Sequence, residues 1–178
     1  MHAVLFLGSE KADQVLSPML SAAGFDSITR AQDASLDCTD AHLIVIDAPL
    51  PQTDAQELCV RMCRQSTAGV LFLSREACET AQNAGALVVR KPLSRPLFEQ
   101  ALTHALCVHR RLSSLGSENS RLRLRLDELK LIDRAKLLLM QHLSMSESQA
   151  HRYIEKQAMD LRISRAEVAR NILITYAR

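Results

Sequence analysis

Tryptophan is absent from this chain, and the other aromatics amount to four Phe and two Tyr. A core so short of rings has to be filled by Leu, Val, Ile, Ala and Met, a composition that favours helices over an all-β sandwich. Long apolar runs are missing too: none approaches the roughly eighteen residues that a spanning helix needs. The N-terminus has no basic segment leading into an extended apolar stretch, and its first apolar run, Ala3 to Leu7, is only strand-length. These absences predict a chain with no signal peptide and no membrane contact, located in the cytoplasm. Cysteine is scarce and odd in number: Cys38, Cys59, Cys63, Cys78 and Cys107. Cys59 and Cys63 are spaced to share a helix face, but no second pair or neighbouring histidine completes a metal site. They read as reduced thiols that behave as small hydrophobes.

What is present is enough for one large domain or two small ones: 178 residues, 47% apolar and 24% charged. The net charge of +2 conceals an asymmetry. Residues 1–102 hold eight basic side chains against twelve acidic ones, a balance of −4, and the remainder fourteen against eight, a balance of +6. An acidic half followed by a basic half suggests two tasks, with any nucleic-acid contact in the second.

The first half alternates. Ala3–Leu7, Ser27–Thr29, His42–Ile46, Val70–Leu73 and Leu87–Val89 have the length and character of buried strands. Helical spacing fills most of the gaps between them, as in Val15, Met19, Leu20, Ala23 and in Ala55, Leu58, Met62. Strands apolar on both faces and separated by helices predict a parallel five-stranded sheet covered on both sides. Gly24 stands where a first helix should stop. Pro18 inside that helix should bend it, and the polar stretch 33–40 is short for a helix. In such sheets the chemistry gathers at the carboxyl ends of the strands. There the chain places Asp47 after the third strand, Ser74 after the fourth and Lys91-Pro92 after the fifth. A carboxylate, a hydroxyl and an ammonium together suit acyl-phosphate chemistry.

This constellation resembles the receiver domain of two-component response regulators, a flavodoxin-like α/β fold. The resemblance implies that Asp47 occupies the phosphoacceptor position, with Pro51 four residues on, and that Ser74 and Lys91 occupy the switch positions. It also implies a cis bond before Pro92. One departure stands out. Receivers carry an acidic pair after the first strand to hold Mg²⁺, and here Gly8 and Ser9 replace it. Glu10 and Asp47 are left as the possible Mg²⁺ ligands, a weakened site, so a pseudo-receiver used as a docking surface is expected and no cofactor is assigned.

From Ala105 an apolar stripe runs on through Val108, Leu112, Leu115, Asn119, Leu122, Leu126 and Leu129, alternating three and four residues. This is a heptad seam. A single Asn at an a position sets register and favours two strands, which predicts a homodimeric coiled coil. Ser113, Ser114, Gly116, Ser117 and Ser120 are weak helix formers and mark a point near Gly116 where the helix could break. Leu124 and Leu131 form a column outside the seam.

The C-terminal segment holds three helical patterns. The linker continues through Ile132, Ala135, Leu138 and Leu139. A second helix starts after Ser146, which with Gln149 makes a capping box, and a third after Ser164, with Glu167 three residues on. The string Ala135-Lys136-Leu137-Leu138-Leu139-Met140, then Ser146-Glu147, Ala150, Gln157-Ala158-Met159 and Val168-Ala169, resembles the ANTAR domain of bacterial antiterminators. Many members have Gly where this chain has Leu137. Receiver, coiled coil and ANTAR domain together resemble the amidase and nitrate-assimilation regulators.

The resemblance implies a regulator, not an enzyme, that binds small-loop RNA hairpins in leader transcripts and prevents a terminator from forming. A sensor kinase or a ligand-sensing regulatory protein would act upstream. The expected organisation is a receiver or pseudo-receiver domain over 1–105, a coiled-coil linker over 106–124 and an all-α three-helix domain over 125–178. Ala135, Leu138, Leu139, Met140, Ala150, Ile154, Ala158 and Val168 are the expected core. Arg134, Lys136, Arg152, Lys156, Gln157, Arg162, Ser164 and Arg165 are the candidate RNA contacts, because cations supply phosphate affinity while loop bases need hydrogen bonds or stacking. Tyr153 is a candidate stacking platform. Two other readings compete: a DNA-binding response regulator, and a signalling interaction module sequestered by a sensor protein.

Overall fold

The computed structural model describes residues 1–31, 38–50 and 54–176, so Pro51 and most of the polar stretch 33–40 lie outside the described residues. The chain divides into two compact units, Met1–Gly116 and Ser117–Arg178.

The first unit is built on five parallel strands: β1 (His2–Leu7), β2 (Ser27–Ala31), β3 (Leu43–Asp47), β4 (Gly69–Ser74) and β5 (Leu87–Arg90), in the order β2-β1-β3-β4-β5. The crossovers carry α1 (Glu10–Ala22), α2 (Ala55–Gln65) and α3 (Glu79–Asn83), and the long α4 (Arg95–Leu143) follows β5. Side chains alternate across the sheet, so the continuous apolar runs of β1, β3 and β4 feed two cores. Val4, Phe6, Ile44, Ile46 and Phe72 pack with Leu58, Cys59 and Met62 of α2. Leu5, Leu43, Val45, Leu71 and Leu73 pack with Leu16 and Leu20 of α1 and with Phe98, Ala101 and Leu102 of α4.

Local chemistry fixes the element ends. Ser9 caps α1, its hydroxyl accepting from the Ala12 N–H at 3.4 Å, and Gly24 follows the helix at φ +87°. The helix runs on through Pro18. Pro18 and Gln14 both sit on its exposed side, so the carbonyl deprived of its partner is left to water. At Gly69 a Cβ would lie 2.1 Å from the carbonyl oxygen of Ala105. Glycine is therefore what lets α4 approach the start of β4.

Beyond Ala105, α4 does not break at Gly116 but continues to Leu143. A single exposed glycine costs about 1 kcal/mol against alanine, too little to interrupt a helix with Leu, Arg and Glu on both sides. In the second unit the last turns of α4 pack with α5 (Glu147–Leu161) and α6 (Arg165–Tyr176). The core is Ala135, Leu139, Ala150, Ile154, Ala158, Val168, Ala169 and Ile172. Met140 is exposed rather than buried, and Leu138 is half-buried. Met140 follows Leu139 by about 100° around the helix, which carries it off the packed face.

Candidate functional site

The strand ends bring the expected trio to one edge of the sheet. Asp47 closes β3, is 6% exposed and receives the Lys91 ammonium on Oδ1 at 2.5 Å. Lys91 Nζ also donates to the Ala48 carbonyl at 2.7 Å, and the Lys91–Pro92 bond is cis. Ser74 ends β4 one register step away, its hydroxyl accepting from the Glu76 N–H at 3.2 Å. A cleft of about 460 Å³ opens beside Ser74, Pro49 and Arg75, but neither Asp47 nor Lys91 lines it.

The metal-holding positions are occupied differently. Gly8 has no side chain, and a Cβ there would lie 2.1 Å from the Pro49 carbonyl oxygen and 3.4 Å from that of Asp47. Ser9 spends its hydroxyl on capping α1. Glu10 is exposed in the first turn of that helix. Mg²⁺ takes near-octahedral oxygen ligands and usually one or two carboxylates. Among the described residues the one buried carboxylate is Asp47. Among the described residues no group of three or more acidic, His or Cys side chains could hold a metal. The residues present do not fit the ion.

All five cysteines are free thiols. A hydrogen bond to Cys63 and burial push the Cys59 thiol far above its usual range, which keeps it protonated and inert.

Ala105, the first position of the heptad seam, is buried in the core of the first unit, and the positions from Val108 on are exposed. Leu122, Leu126 and Leu129 are 51%, 55% and 58% accessible, and Leu112, Leu115 and Asn119 are exposed as well. Leu137 and Met140 repeat Leu126 and Leu129 eleven residues on, close to three helical turns, and are also exposed. An apolar stripe therefore extends along the helix, interrupted by Asp133 and Lys136.

The basic residues of the second unit fall into two groups. Lys136 is held by Asp133 at 2.8 Å and Glu147 at 3.1 Å, and these hydrogen bonds raise its pKa. It ties α4 to the start of α5. Arg165 pairs with Glu155 at 3.3 Å. By contrast Arg134, Arg152, Lys156 and Arg162 are exposed and form no ion pair among the described residues. Arg152 and Lys156 are one turn apart on α5. Arg162 ends α5 in the left-handed region, φ 55° and ψ 39°, a place that usually takes glycine. Gln157 is half-buried. Ser164 accepts from the Glu167 N–H at 3.1 Å, and the Ser146–Gln149 capping box is complete. Sequence reasoning could not tell paired from unpaired cations, because Glu147 and Glu155 reach Lys136 and Arg165 from another helix and only Asp133 is a neighbour on the same one. It also missed Asn171 and Tyr176, which share a groove with Tyr153 and Gln157.

Comparison with known proteins places these features. Residues 120–173 match the ANTAR domain. The transcriptional regulatory protein PdtaR of Mycobacterium tuberculosis is similar to this chain, 29% identical over 170 residues that cover 90% of this chain and 83% of PdtaR. Among solved structures, the response regulator StyR aligns at a TM-score of 0.66 and 16% identity, covering 98% of this chain and 99% of its own. A response regulator receiver domain protein from Clostridium thermocellum aligns at a TM-score of 0.54 and 14% identity, covering 62% of this chain and 98% of its own. At these identities the likeness shows the fold.

Proposed function

We propose that this chain, in which a receiver-like domain precedes an ANTAR domain, is an RNA-binding regulator of transcription termination. The ANTAR match over 120–173 carries the reading. Both modules are regulatory rather than catalytic. In this reading Arg134, Arg152, Lys156 and Arg162 contact the phosphates of a small-loop hairpin in a leader transcript, with Gln157 and the amides at the start of α6, beside Ser164, available to the loop. Lys136 and Arg165 shape the surface through their ion pairs and give up less charge to RNA. Holding the hairpin prevents an overlapping terminator from folding.

The receiver-like unit acts as a docking surface for an upstream sensor protein, whether a kinase or a ligand-sensing regulator, and not as a phosphoacceptor. The positions that would carry metal ligands are a sealed glycine and a capping serine, and among the described residues no group of three or more acidic, His or Cys side chains could hold the ion. The apolar stripe of α4 pairs two copies through Leu112, Leu115, Asn119, Leu122, Leu126 and Leu129, extending to Leu137 and Met140. The organisation that follows is a pseudo-receiver over 1–105, a pairing helix over 106–124 and an RNA-binding domain over 125–178, in a cytoplasmic protein. Among the described residues no helix is long and apolar enough to cross a membrane.

The experiment is transcription in vitro through a leader in which a hairpin overlaps a terminator. Added protein is expected to raise readthrough, and Arg152→Ala/Lys156→Ala to abolish the effect. Readthrough unchanged by the wild-type protein on leaders that bind it overturns the proposal.

A further inference from the structure

Between α5 and α6 lies a groove of about 200 Å³. Both tyrosines of the chain, Tyr153 and Tyr176, line it together with Gln157 and Asn171, beside the buried Val168 and Ile172. Two rings in a chain with so few aromatics thus meet at one surface feature. The side-chain amides of Gln157 and Asn171 make no hydrogen bond among the described residues. Each offers a donor and an acceptor side by side.

The chemistry of this lining is specific. Apolar side chains and rings favour a flat, weakly hydrated body, while the two amides match the polar edge of such a body. Charge restricts the occupant further. Lys156, exposed and in no ion pair among the described residues, lies three residues beyond Tyr153 on α5, on the adjoining face of that helix. An apolar peptide side chain would use the rings but neither the amides nor the cation. A nucleobase attached to its phosphate uses all three.

We propose that the groove receives one unstacked nucleobase from the loop of a bound RNA hairpin. The base lies against Tyr153 and Tyr176, its edge meets Gln157 and Asn171, and an adjoining phosphate meets Lys156. The inference rests on the RNA-binding reading above and adds to it the place where a loop base is read. Sequence preference then comes from the amides, and affinity from the rings and the cation.

The test uses the full chain and hairpins enriched by binding to it from a pool with one constant stem and a randomised small loop. Each loop nucleotide of an enriched hairpin is replaced in turn by an abasic one. With the wild-type chain, one position is expected to lose about tenfold or more in affinity, the size of a lost base-stacking contact. In Gln157→Ala, Asn171→Ala and Tyr153→Leu that same replacement should cost nothing further, whereas Tyr153→Phe should keep the wild-type pattern. Circular dichroism checks that each variant keeps its helicity; Gln157→Ala and Asn171→Ala carry the test should Tyr153→Leu lose it. An abasic penalty that persists undiminished in both amide variants shows that the base is held elsewhere and overturns the proposal. A pool from which no hairpin is enriched instead overturns the RNA-binding reading itself.

Discussion

A Cβ on Gly8 would lie 2.1 Å from the carbonyl oxygen of Pro49. The backbone after β3 therefore occupies the space that a metal-binding carboxylate after β1 would need. Asp47 keeps Lys91 beside it, but Glu10 is exposed in the first turn of α1 and no metal-holding group forms among the described residues. Acetyl phosphate with Mg²⁺ is expected to leave the intact mass of the protein unchanged. Gly8→Asp should lower thermal stability without creating a phosphoacceptor, since backbone cannot yield as a flexible side chain does. Rapid stoichiometric phosphorylation that disappears in Asp47→Asn would contradict this.

Arg162 holds a left-handed conformation in which glycine is unstrained. Arg162→Gly should raise the stability of the second unit by up to about 1 kcal/mol while weakening hairpin binding. Urea titration and RNA binding on the same variant separate the two effects. Stability gained with affinity intact would show that the side chain contributes nothing to the complex.

Most of the fold was legible because the periodicities were unambiguous. Runs such as Leu43–Ile46 can only be doubly covered strands, and Ser146 with Gln149 marks a helix start whatever surrounds it. The continuity of α4 through Gly116 was not legible: the weakness of five residues is local, whereas helix length is decided by the turns on both sides. The site was read more coarsely. Asp47, Ser74 and Lys91 followed from strand ends, but the closure over Gly8 depends on the path of Pro49, which no spacing reveals. Likewise Lys136 counts as a cation in the sequence and as half of an ion pair in the fold.

Where β1 and β3 begin, His42 meets the His2 backbone and the imidazole of His109. The Nδ1 of His42 accepts from the His2 N–H at 3.3 Å, and its ring centroid is 5.0 Å from that of His109 on α4. Burial, then the charges of His109, the N-terminal ammonium and His2, lowers its pKa below the usual 6.5. With the folded value below the unfolded one, the unfolded chain binds the extra proton first. Stability is thus constant above about pH 6.5 and falls as the pH drops from there toward the folded value. Chemical denaturation between pH 7.5 and 5.5 should show this loss in the first unit. His42→Asn, which keeps an acceptor for His2, should flatten it; an unchanged slope would assign the loss to other groups.

Leu122, Leu126 and Leu129 leave more than half of their surface in water, and covering each further contributes roughly 1 kcal/mol. Sedimentation at micromolar concentration should show a dimer. Leu122→Asp or Leu126→Asp should give monomers, because each would bury a charge without a partner. A monomeric wild-type chain would leave the stripe without its proposed role.

The central claim is that the unpaired cations of the second unit serve RNA of a particular shape and not polyanions in general. Competition between a small-loop hairpin enriched on the full chain and duplex DNA of equal length, at moderate salt, tests it most directly. The hairpin should displace the duplex, with affinity falling steeply as salt rises because several phosphates are neutralised. Equal binding to both, or preference for the duplex, would contradict the account.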